Sequence, residues 1–525
     1  MTRLCLNCGM FKISSFKQNY QSSSTMPTMP KGRGNRSRDL YDEICSRIAD
    51  GTFAAGAALP STRTLAAERG LARTTVTGVY EQLAADGFIE SRPGAASRVI
   101  AGTGNKRQHA RTSPRRNMSG WAKAPIERLS AIGQRLTAMD SSRVQPAVAG
   151  EIDFVYGPLA GTDFPTLAWG KALRTVERHR NARLEYEDPR GNLELRQALQ
   201  MHLSQTRGLV CSVEQVMIVN GSQQALDLCA RLLVNPGERV AVENPGYQAA
   251  HQTFLAYGAE LACIEVDSQG LKTDQLAAFG QAKLVYVTPT HQFPLGSFLP
   301  MARRSQLLSW AEQQNAWIIE DDYDSEYRYS VRPEPTLQSL DTADCVIHVG
   351  TFSKTLSPQL RLGYIVLPNS LVEVFTKAKR LSDRHAATGV QRALALILSN
   401  GSYGRHLRRI RRLQQTRQRA LVDALTTHLG EEVEIQGAAS GLHVVVRFRK
   451  LPAKAEDALV NAARAQGVCV YPLSPLFQSG TARPRDQRHA CLVMGYALLE
   501  EEMIWKGVKS LANALRQVTT KTLAS

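Results

Sequence analysis

The sequence has no long apolar stretch, no cysteine framework and no acidic residue near its start. No apolar run reaches the roughly 18–20 residues that a membrane-spanning helix needs, which argues against a site in the bilayer. Nine cysteines are scattered over 525 residues, as expected for free thiols in a reducing compartment. Cys5 and Cys8 form a CxxC pair, but no second pair follows, so we expect no bound metal.

Acidic residues are missing from the first 38 positions, and Asp39 is the first of them. The chain has a formal net charge of +17, and residues 101–150 carry nine Lys and Arg against Glu127 and Asp140. Such an excess suits a nucleic-acid partner, a membrane surface or simple solubility. We expect residues 1–36 to be a basic disordered tail. An organelle transit peptide has a similar composition, but the rest of the chain gives it no support.

Residues 37–103 have the pattern of three short helices followed by a β-hairpin. Ser61 can cap the second helix, and Gly70 marks the turn that follows it. A third helix is predicted over 73–85, and extended runs on both sides of Pro93–Gly94 are typical of a hairpin. This order is that of a winged helix-turn-helix, in which the second helix of the pair enters the DNA major groove by its N-terminal end.

The N-terminal end of the third helix is therefore predicted to read base edges, while nearby arginines contact phosphates. A helical adaptor with a solvated basic face is the alternative, but helix order, turn and charge together favour DNA. Tyr80 also belongs to the apolar stripe of that helix. The predicted DNA-binding residues are Arg63, Arg73, Thr74, Thr75, Tyr80 and Arg92.

The remainder of the chain is predicted to form one large α/β domain after a linker. Residues 104–150 lack a sustained pattern, apart from a short predicted helix near Pro125–Thr137. From 151 to 525, short apolar runs alternate with helical stretches, which predicts a mostly parallel sheet covered by helices on both faces. A smaller C-terminal α+β subdomain is expected at about 401–525.

Five apolar runs in this domain end abruptly in polar clusters. Ligands of such sheets bind beyond the carboxyl ends of the strands, so the five clusters are expected to converge on one site. The clusters are "NGSQQ", "ENPGY", "TPTHQFPLG", "EDDYDSEY" and "GTFSK", which follow Val216–Val219, Val240–Val242, Leu284–Val287, Trp317–Ile319 and Val346–Val349.

The chemistry of these clusters suits a single ligand. The "NGSQQ" turn opens a helix, so its N–H groups can hold a phosphate, although such a helix start is more often a simple cap. A loop lysine such as Lys354 is usually solvated, and the acids of "EDDYDSEY" could bind metal or act as bases. Together, a lysine for a Schiff base, a carboxylate for a pyridinium nitrogen and a phosphate cradle are the components of a pyridoxal phosphate site.

At these residues the chain resembles the MocR/GabR-type bacterial regulators. The resemblance covers about 37–520 and rests on "LPSTRTLA…RTTVTGVYEQL" and on the five motifs, which occur in the same order. It implies a GntR-like winged helix-turn-helix followed by a fold-type-I aminotransferase-like domain that binds pyridoxal phosphate. It also implies a head-to-tail homodimer, in which each DNA reader lies against the partner's large domain.

The resemblance implies a role for each matching residue. Lys354 would hold the cofactor covalently, and Asp321 would pair with the pyridine nitrogen. Tyr323 would bond the ring hydroxyl, Tyr247 would stack on the ring, and His291 takes the place where aminotransferases often carry Asn near the ring oxygen. The phosphate would be held by Ser222, Gln223, Ser353 and Arg361.

Two features leave parts of this assignment open. Asp322 and Asp324 are close enough in sequence to replace Asp321 as the pyridine partner. Val493 stands roughly where aminotransferases place the arginine that clamps the substrate carboxylate, and Val cannot replace a bidentate Arg–carboxylate pair. Either the effector is not held as a usual α-amino acid, or another arginine supplies the clamp. The candidates are Arg447, Arg449 and the seven arginines of 405–419, a run that we interpret as an exposed interdomain helix and not as a DNA-contacting face.

The sequence thus predicts a cytoplasmic transcriptional regulator, located at the nucleoid when bound to its double-stranded operator. An amine or amino-acid effector, or the cofactor itself, would change the relative placement of the two domains. Two alternatives stay open: a catalytically active pyridoxal phosphate-dependent aminotransferase, and a sensor of pyridoxal phosphate level. In the regulator, any transaminase activity would be vestigial or limited to a half-reaction. No membrane partner is expected.

Overall fold

The computed structural model describes residues 36–91, 95–100, 128–139, 147–179, 185–330, 334–478 and 488–524. The chain divides into two compact units, Met1–Ala124 and Pro125–Ser525, so the boundary falls within the predicted linker. Cys5, Cys8, Arg92 and nearly all of the predicted tail lie outside the described residues. Among the helices that are described, none is long and apolar enough to cross a membrane.

The N-terminal unit has the predicted order of three helices and a hairpin. Ser61 accepts a hydrogen bond from the Thr64 backbone N–H, and Gly70 ends the second helix with a φ of +60°, which is a left-handed conformation that glycine adopts without strain. The elements are α1 (Arg36–Ala49), α2 (Thr62–Arg69), α3 (Arg73–Ala85), and the antiparallel strands β1 (Ile89–Glu90) and β2 (Arg98–Val99).

Apolar side chains from all five elements form the core of this unit. Tyr80 is part of it: its ring is 5% exposed, and its hydroxyl donates to the Pro60 carbonyl at 2.8 Å. The prediction that Tyr80 contacts DNA is therefore wrong, because its apolar-stripe position on α3 turns the ring inward. The other members of this core include Leu40, Ile44, Ile48, Leu59, Leu65, Val76, Val79, Leu83, Ile89 and Val99.

The large unit alternates strands and helices. Its described helices are α4 (Ala131–Ala138), α5 (Thr166–Arg178), α6 (Leu193–Arg207), α7 (Ser222–Leu233), α8 (Gln248–Ala256), α9 (Met301–Gln314), α10 (Leu337–Leu340), α11 (Val372–Asp383), α12 (Thr388–Ser399), α13 (Ser402–Leu429), α14 (Glu456–Ala465) and α15 (Glu501–Ala524). Its described strands are β3 (Ile152–Asp153), β4 (Val216–Val219), β5 (Arg239–Asn244), β6 (Glu260–Asp267), β7 (Gly270–Leu271), β8 (Leu284–Val287), β9 (Trp317–Asp322), β10 (Val346–Thr351), β11 (Gly363–Val366), β12 (Val433–Gln436), β13 (His443–Pro452), β14 (Val468–Cys469), β15 (Tyr471–Pro472) and β16 (His489–Gly495).

The central sheet has, in the described residues, eight strands in the order β4-β11-β10-β9-β8-β5-β6-β7. The strands β10, β9, β8, β5 and β6 pair in parallel, and β11 is antiparallel to both β4 and β10. Strands β4, β8, β10 and β11 are buried along their whole length, as expected for a sheet covered on both faces. The predicted mostly parallel α/β fold is confirmed, and β4, β5, β8, β9 and β10 all end at the same edge.

A second, antiparallel sheet in the order β12-β13-β16-β15 forms the C-terminal layer with α13, α14 and α15. The short strand β3 pairs in parallel with β14, although the two lie far apart in sequence. Consequently the segment that opens the large domain belongs to the core of its C-terminal layer, through Ile152 and Phe154. A boundary at about residue 401 does not include this segment.

Part of the predicted linker is structural in the large unit. The helix α4 lies within the predicted 104–150 segment, close to the helix expected near Pro125–Thr137. Arg135 donates from Nε to the carbonyl of Ala256, the last residue of α8, at 2.8 Å. This segment therefore contains a helix that is hydrogen-bonded to α8 of the large unit.

The arginine run 405–419 lies on α13 and does not have one environment throughout. Arg405, Arg408 and Arg412 are exposed, as expected of a solvated face. Arg417, in contrast, is 1% exposed and donates to Asp163 Oδ2 at 2.7 Å, to Glu500 Oε1 at 2.8 Å and to the Ala497 carbonyl at 2.9 Å. It joins α13 to two other segments, so the prediction of an exposed helix is wrong at this position.

We expect Arg417→Ala to lower the free energy of unfolding of the large unit by about 3–5 kcal/mol, because the buried Asp163 carboxylate would keep its charge without its partner. Urea unfolding followed by far-ultraviolet circular dichroism measures this loss. Arg419→Ala, on the same helix but exposed, is the control and should change the value by about 0.5 kcal/mol at most. Equal losses in the two variants would contradict the structural role of Arg417.

Candidate cofactor site and nucleic-acid interface

The polar segments that follow β4, β5, β8, β9 and β10 line one cavity of about 330 Å³. This arrangement confirms the convergence expected from the sequence, because all five strands end at one edge of the sheet. The cavity wall includes every predicted cofactor-binding residue except His291: Lys354, Asp321, Tyr323, Tyr247, Ser222, Gln223, Ser353 and Arg361.

Lys354 follows β10 and reaches into the cavity. Its Nζ donates to the Gly157 carbonyl at 2.9 Å, and a Cβ at Gly157 would lie 3.2 Å from that nitrogen. Burial lowers the pKa of the Lys354 ammonium below its ordinary value, while Asp324 and Asp321 act in the opposite direction. A lowered pKa increases the share of neutral amine, which is the form that attacks a carbonyl carbon.

Asp321 lies in β9 on the cavity side. Its Oδ2 accepts a hydrogen bond from the Tyr286 hydroxyl at 2.8 Å, and its buried Oδ1 has no hydrogen-bond partner among the described residues. Burial raises the pKa of Asp321 to about 6, although the hydrogen bond from Tyr286 acts to lower it. A buried carboxylate oxygen of this kind is a ready acceptor for a cationic N–H group.

The alternation of side chains along β9 decides between the acidic neighbours. Asp322 does not line the cavity, and its Oδ2 accepts from Arg207 Nε at 2.9 Å. Asp324 lines the cavity but lies 2.9 Å from His291 Nδ1 through its Oδ2. Asp321 is therefore the best placed of the three to pair with a ring nitrogen in the cavity.

His291 lies behind the cavity wall and not on it. Its Nδ1 is 3.0 Å from the Tyr323 hydroxyl and 2.9 Å from Asp324 Oδ2. The side chain is 2% exposed and packs against Gly441, where a Cβ would lie 2.0 Å from the imidazole. The expectation that His291 is placed next to the ring oxygen is corrected: it positions Tyr323 and Asp324, which themselves face the cavity.

The N-terminus of α7 forms one end of the cavity, with Ser222 and Gln223 as its first residues. The first N–H groups of a helix have no acceptor within it, and the helix dipole favours an anion there. Arg361 donates to the Asn220 carbonyl at 2.7 Å, and a Cβ at Gly221 would lie 2.9 Å from its guanidinium, so only glycine permits this approach.

Some of the polar groups near the N-terminus of α7 already form hydrogen bonds within the protein. Gln223 donates from Nε2 to Thr253 Oγ1 at 2.7 Å, which leaves its backbone N–H as the group that can serve a phosphate. Ser353 Oγ accepts from Thr351 Oγ1 at 3.0 Å and keeps its own proton to donate. The set suits a phosphate group, as the sequence predicted.

Rings form the rest of the wall. The Phe293 ring centroid lies 5.7 Å from that of Tyr156, 5.9 Å from that of Tyr247 and 5.6 Å from that of His443. Of these, Phe293, Tyr156 and His443 were not predicted. Tyr156 and His443 come from the segment after β3 and from the start of β13, which no local motif connects to the strand ends. Asp324, named only as an alternative to Asp321, also lines the wall, and the other wall residues missed by the prediction are Gly157, Tyr286, Thr288, Thr351, Pro358 and Leu442.

The candidate carboxylate arginines do not line this cavity in the described residues. Arg447 donates to Glu434 and lines a separate cavity beside Asp267. Arg449 donates from Nε to the Val433 carbonyl, and Arg411 donates from Nε to the Glu326 carbonyl. Val493 is fully buried in β16, in a cluster that includes Tyr156 and Phe293.

The N-terminal end of α3 carries three of the predicted DNA-contacting residues, Arg73, Thr74 and Thr75, and Arg63 lies on α2. Arg63, Arg73 and Thr74 are exposed, and Thr75 is half-buried. Arg98 on β2 is also exposed and donates to the Gly56 carbonyl at 2.8 Å, which braces the hairpin. This surface therefore offers basic and hydroxyl groups at the end of a helix, as a major-groove reader requires.

Comparison with known proteins agrees with the structure of both units, the N-terminal one and the large one. Residues 36–99 match the family of bacterial regulatory proteins of the gntR type, and residues 157–485 match aminotransferase class I and II. The chain is 36% identical to the probable rhizopine catabolism regulatory protein MocR of Rhizobium meliloti, covering 91% of this chain and 93% of that protein. It is 32% identical to the transcriptional regulator TauR of Rhodobacter capsulatus, covering 93% of this chain and 98% of that protein.

Among solved structures, the multiple substrate aminotransferase of Thermococcus profundus resembles the large unit. It matches with a TM-score of 0.68 and 28% identity, over 77% of this chain and 100% of that one. An aminotransferase domain of this class implies pyridoxal phosphate, which the unpartnered Asp321 oxygen, Lys354 and the α7 N-terminus suit. The chain belongs to the MocR-type transcriptional regulators, which join a GntR-family helix-turn-helix to an aminotransferase class I and II domain.

Proposed function

We propose that this regulator holds pyridoxal phosphate through Lys354 and changes its hold on operator DNA when a small amine or amino-acid effector binds. The observation that carries the proposal is the shared cavity of Lys354 and Asp321, with the α7 N-terminus at one end. The same chain exposes Arg73 at the start of the DNA-reading helix. We place the protein in the cytoplasm, at the nucleoid when DNA-bound.

Each residue would serve the cofactor in a distinct way. When bound, pyridoxal phosphate supplies an electron-withdrawing ring and a carbonyl group with which amines react. Lys354 would offer the amine, and Asp321 would hold a positive charge on the ring nitrogen. Tyr247 would pack on the ring face, while Tyr323 would donate to the ring oxygen. The cavity-lining residues that would hold the phosphate are Ser222, Gln223, Ser353 and Arg361.

Regulation requires that a ligand bind two arrangements of the protein with different affinity, since equal affinity shifts nothing. We propose that these arrangements differ in the relative placement of the DNA-binding and cofactor-binding units. We further propose a head-to-tail homodimer, because paired DNA readers match operators with two half-sites.

Lys354→Ala is expected to abolish covalent attachment of the cofactor. After borohydride reduction, the wild-type peptide that contains Lys354 should carry one phosphopyridoxyl group, and the variant should carry none, as measured by mass spectrometry. Lys377→Ala is the control, because Lys377 is exposed and pairs with Glu373 on the same helix, α11. A Lys354→Ala protein that keeps the visible absorption band of the cofactor would sink the assignment.

Asp321→Asn is expected to stabilise the cofactor-free protein above pH 6. The folded pKa of Asp321, about 6, exceeds its ordinary value of 3.8, so its burial costs stability increasingly as the pH rises through this window. The advantage of the variant, roughly 3 kcal/mol at pH 8, should vanish towards pH 4, where the wild-type carboxyl is protonated. Thermal unfolding between pH 4 and 8 measures it, with exposed Asp274→Asn as the control. A difference independent of pH contradicts the burial argument.

Arg73→Ala is expected to weaken binding to DNA from upstream of the protein's own gene by about 1–3 kcal/mol. Fluorescence anisotropy at fixed salt measures the loss, and footprinting locates the site. Arg47→Ala is the control, since its guanidinium lies against the Phe53 ring and near Glu43. If footprinting shows no protection there or in a neighbouring operon, or if the two variants lose equally, the DNA assignment is contradicted.

A working aminotransferase is the second candidate, favoured by the near-complete set of predicted cofactor residues around one cavity. Repeated conversion of an amino donor and a keto acid at a metabolic rate would identify it. A sensor of the cofactor alone would instead change its DNA affinity when pyridoxal phosphate is titrated without any amine.

A further inference from the structure

Rings and one leucine form part of the cavity wall that also carries Lys354, and this composition restricts the effector. The residues are Tyr156, Phe293, Leu442 and His443, and we call this part of the wall the ring-walled region. The cations among the described wall residues are Lys354 itself and Arg361. Arg361 donates to the Asn220 carbonyl and is assigned to the phosphate, while Lys354 is assigned to the cofactor. Neither cation is therefore left to bind a carboxylate of the effector.

Val493 reinforces the restriction. By the resemblance given above it stands roughly where aminotransferases place the carboxylate-binding arginine, and it is fully buried. Its cluster includes Val445, Leu295 and Leu473, with Tyr156 and Phe293 packed against them. An apolar side chain therefore supports the ring wall from behind, in place of a guanidinium.

The remaining arginine candidates do not line this cavity. Arg447 pairs with Glu434, Arg411 bonds the Glu326 carbonyl, and Arg417 is buried on Asp163. Arg405, Arg408, Arg409 and Arg412 line a separate surface depression on α13. A carboxylate placed among the rings would give up its hydration without gaining a charged partner in the described residues, which is unfavourable.

We propose that the effector of this cavity is a primary amine that carries no carboxylate and has an uncharged, ring-contacting body. The inference rests on the proposed function, since it concerns the ligand of the cofactor-loaded site. The amine nitrogen lies towards Lys354, and the body packs against Tyr156 and Phe293. Asp324, an anion on the same wall, adds repulsion against a second negative charge.

Two matched ligand pairs test the proposal by calorimetric titration of the cofactor-loaded, full-length protein. The first pair is 2-phenylethylamine and L-phenylalanine, and the second is butylamine and 4-aminobutyrate. In each pair one member carries a carboxylate where the other carries a hydrogen (first pair) or a methyl group (second pair). We expect the carboxylate-free member to bind roughly tenfold tighter or more in both pairs. The same amine should change the affinity for operator DNA.

A variant reverses the preference if the argument is correct. Tyr156→Arg places a guanidinium on the wall at a half-buried position, and it should raise the affinity for L-phenylalanine relative to 2-phenylethylamine by about tenfold. Tyr156→Leu is the matched control, which removes the ring without adding charge and should leave the ratio as in the wild type. The wild-type ratios test the proposal even if a variant fails to fold.

Different outcomes would contradict the inference about the effector and the proposed function. Amino acids that bind as tightly as the amines, or no binding by either class, would overturn the inference while the cofactor band and DNA binding of the same preparation remain. Loss of the cofactor band or of DNA binding in the wild-type protein would overturn the proposed function itself.

Discussion

A buried carboxylate oxygen without a hydrogen-bond partner costs folding free energy, and Asp321 carries such an oxygen in the described part of the large unit. The protein holds it in place through the sheet: β9 is paired in parallel with β8 and β10, and Tyr286 from β8 occupies the other carboxylate oxygen. The unpaired oxygen is left facing the cavity. The local cost suits a site whose affinity for a cationic ring depends on an acceptor that is already positioned.

The register of β9 controls more than this one residue. A shift by one position would turn Asp321 away from the cavity and bring Asp322 inward, because successive side chains of a strand point to opposite faces. It would also break the ion pair of Asp322 with Arg207, which is 9% exposed at its side chain, and leave a charge buried without its partner. The Asp322–Arg207 ion pair therefore stabilises the register of β9 that turns Asp321 towards the cavity.

The sequence could predict those parts of the site that depend on patterns of neighbouring residues, but not those that depend on contacts between distant segments. The apolar runs and the polar clusters that follow them are local, and one rule about parallel sheets brings Lys354, Asp321 and Ser222 together. No such rule connects Tyr156 or His443 to the site, because they arrive through β3 and β13 of another layer. Arg417 could not be predicted for the same reason. Its partner Asp163 lies 254 positions away, so the run of arginines gives no indication that Arg417 is buried. Tyr80 had both an apolar-stripe and a polar interpretation, and packing decided between them.

The proposed connection between effector and DNA needs a physical route, and the contacts of α8 suggest one within the large unit. Gln223, on the cavity wall, donates to Thr253 of α8 at 2.7 Å, and Arg135 of α4 donates to the carbonyl of Ala256 at the end of the same helix. Helix α4 is the first described helix of the large unit after the DNA-binding unit in the chain. Contact alone does not make a switch, since the two arrangements must differ in their affinity for the ligand. An effector that only fills the ring-walled region, without altering the Gln223 end, would bind the regulator and leave this route unused.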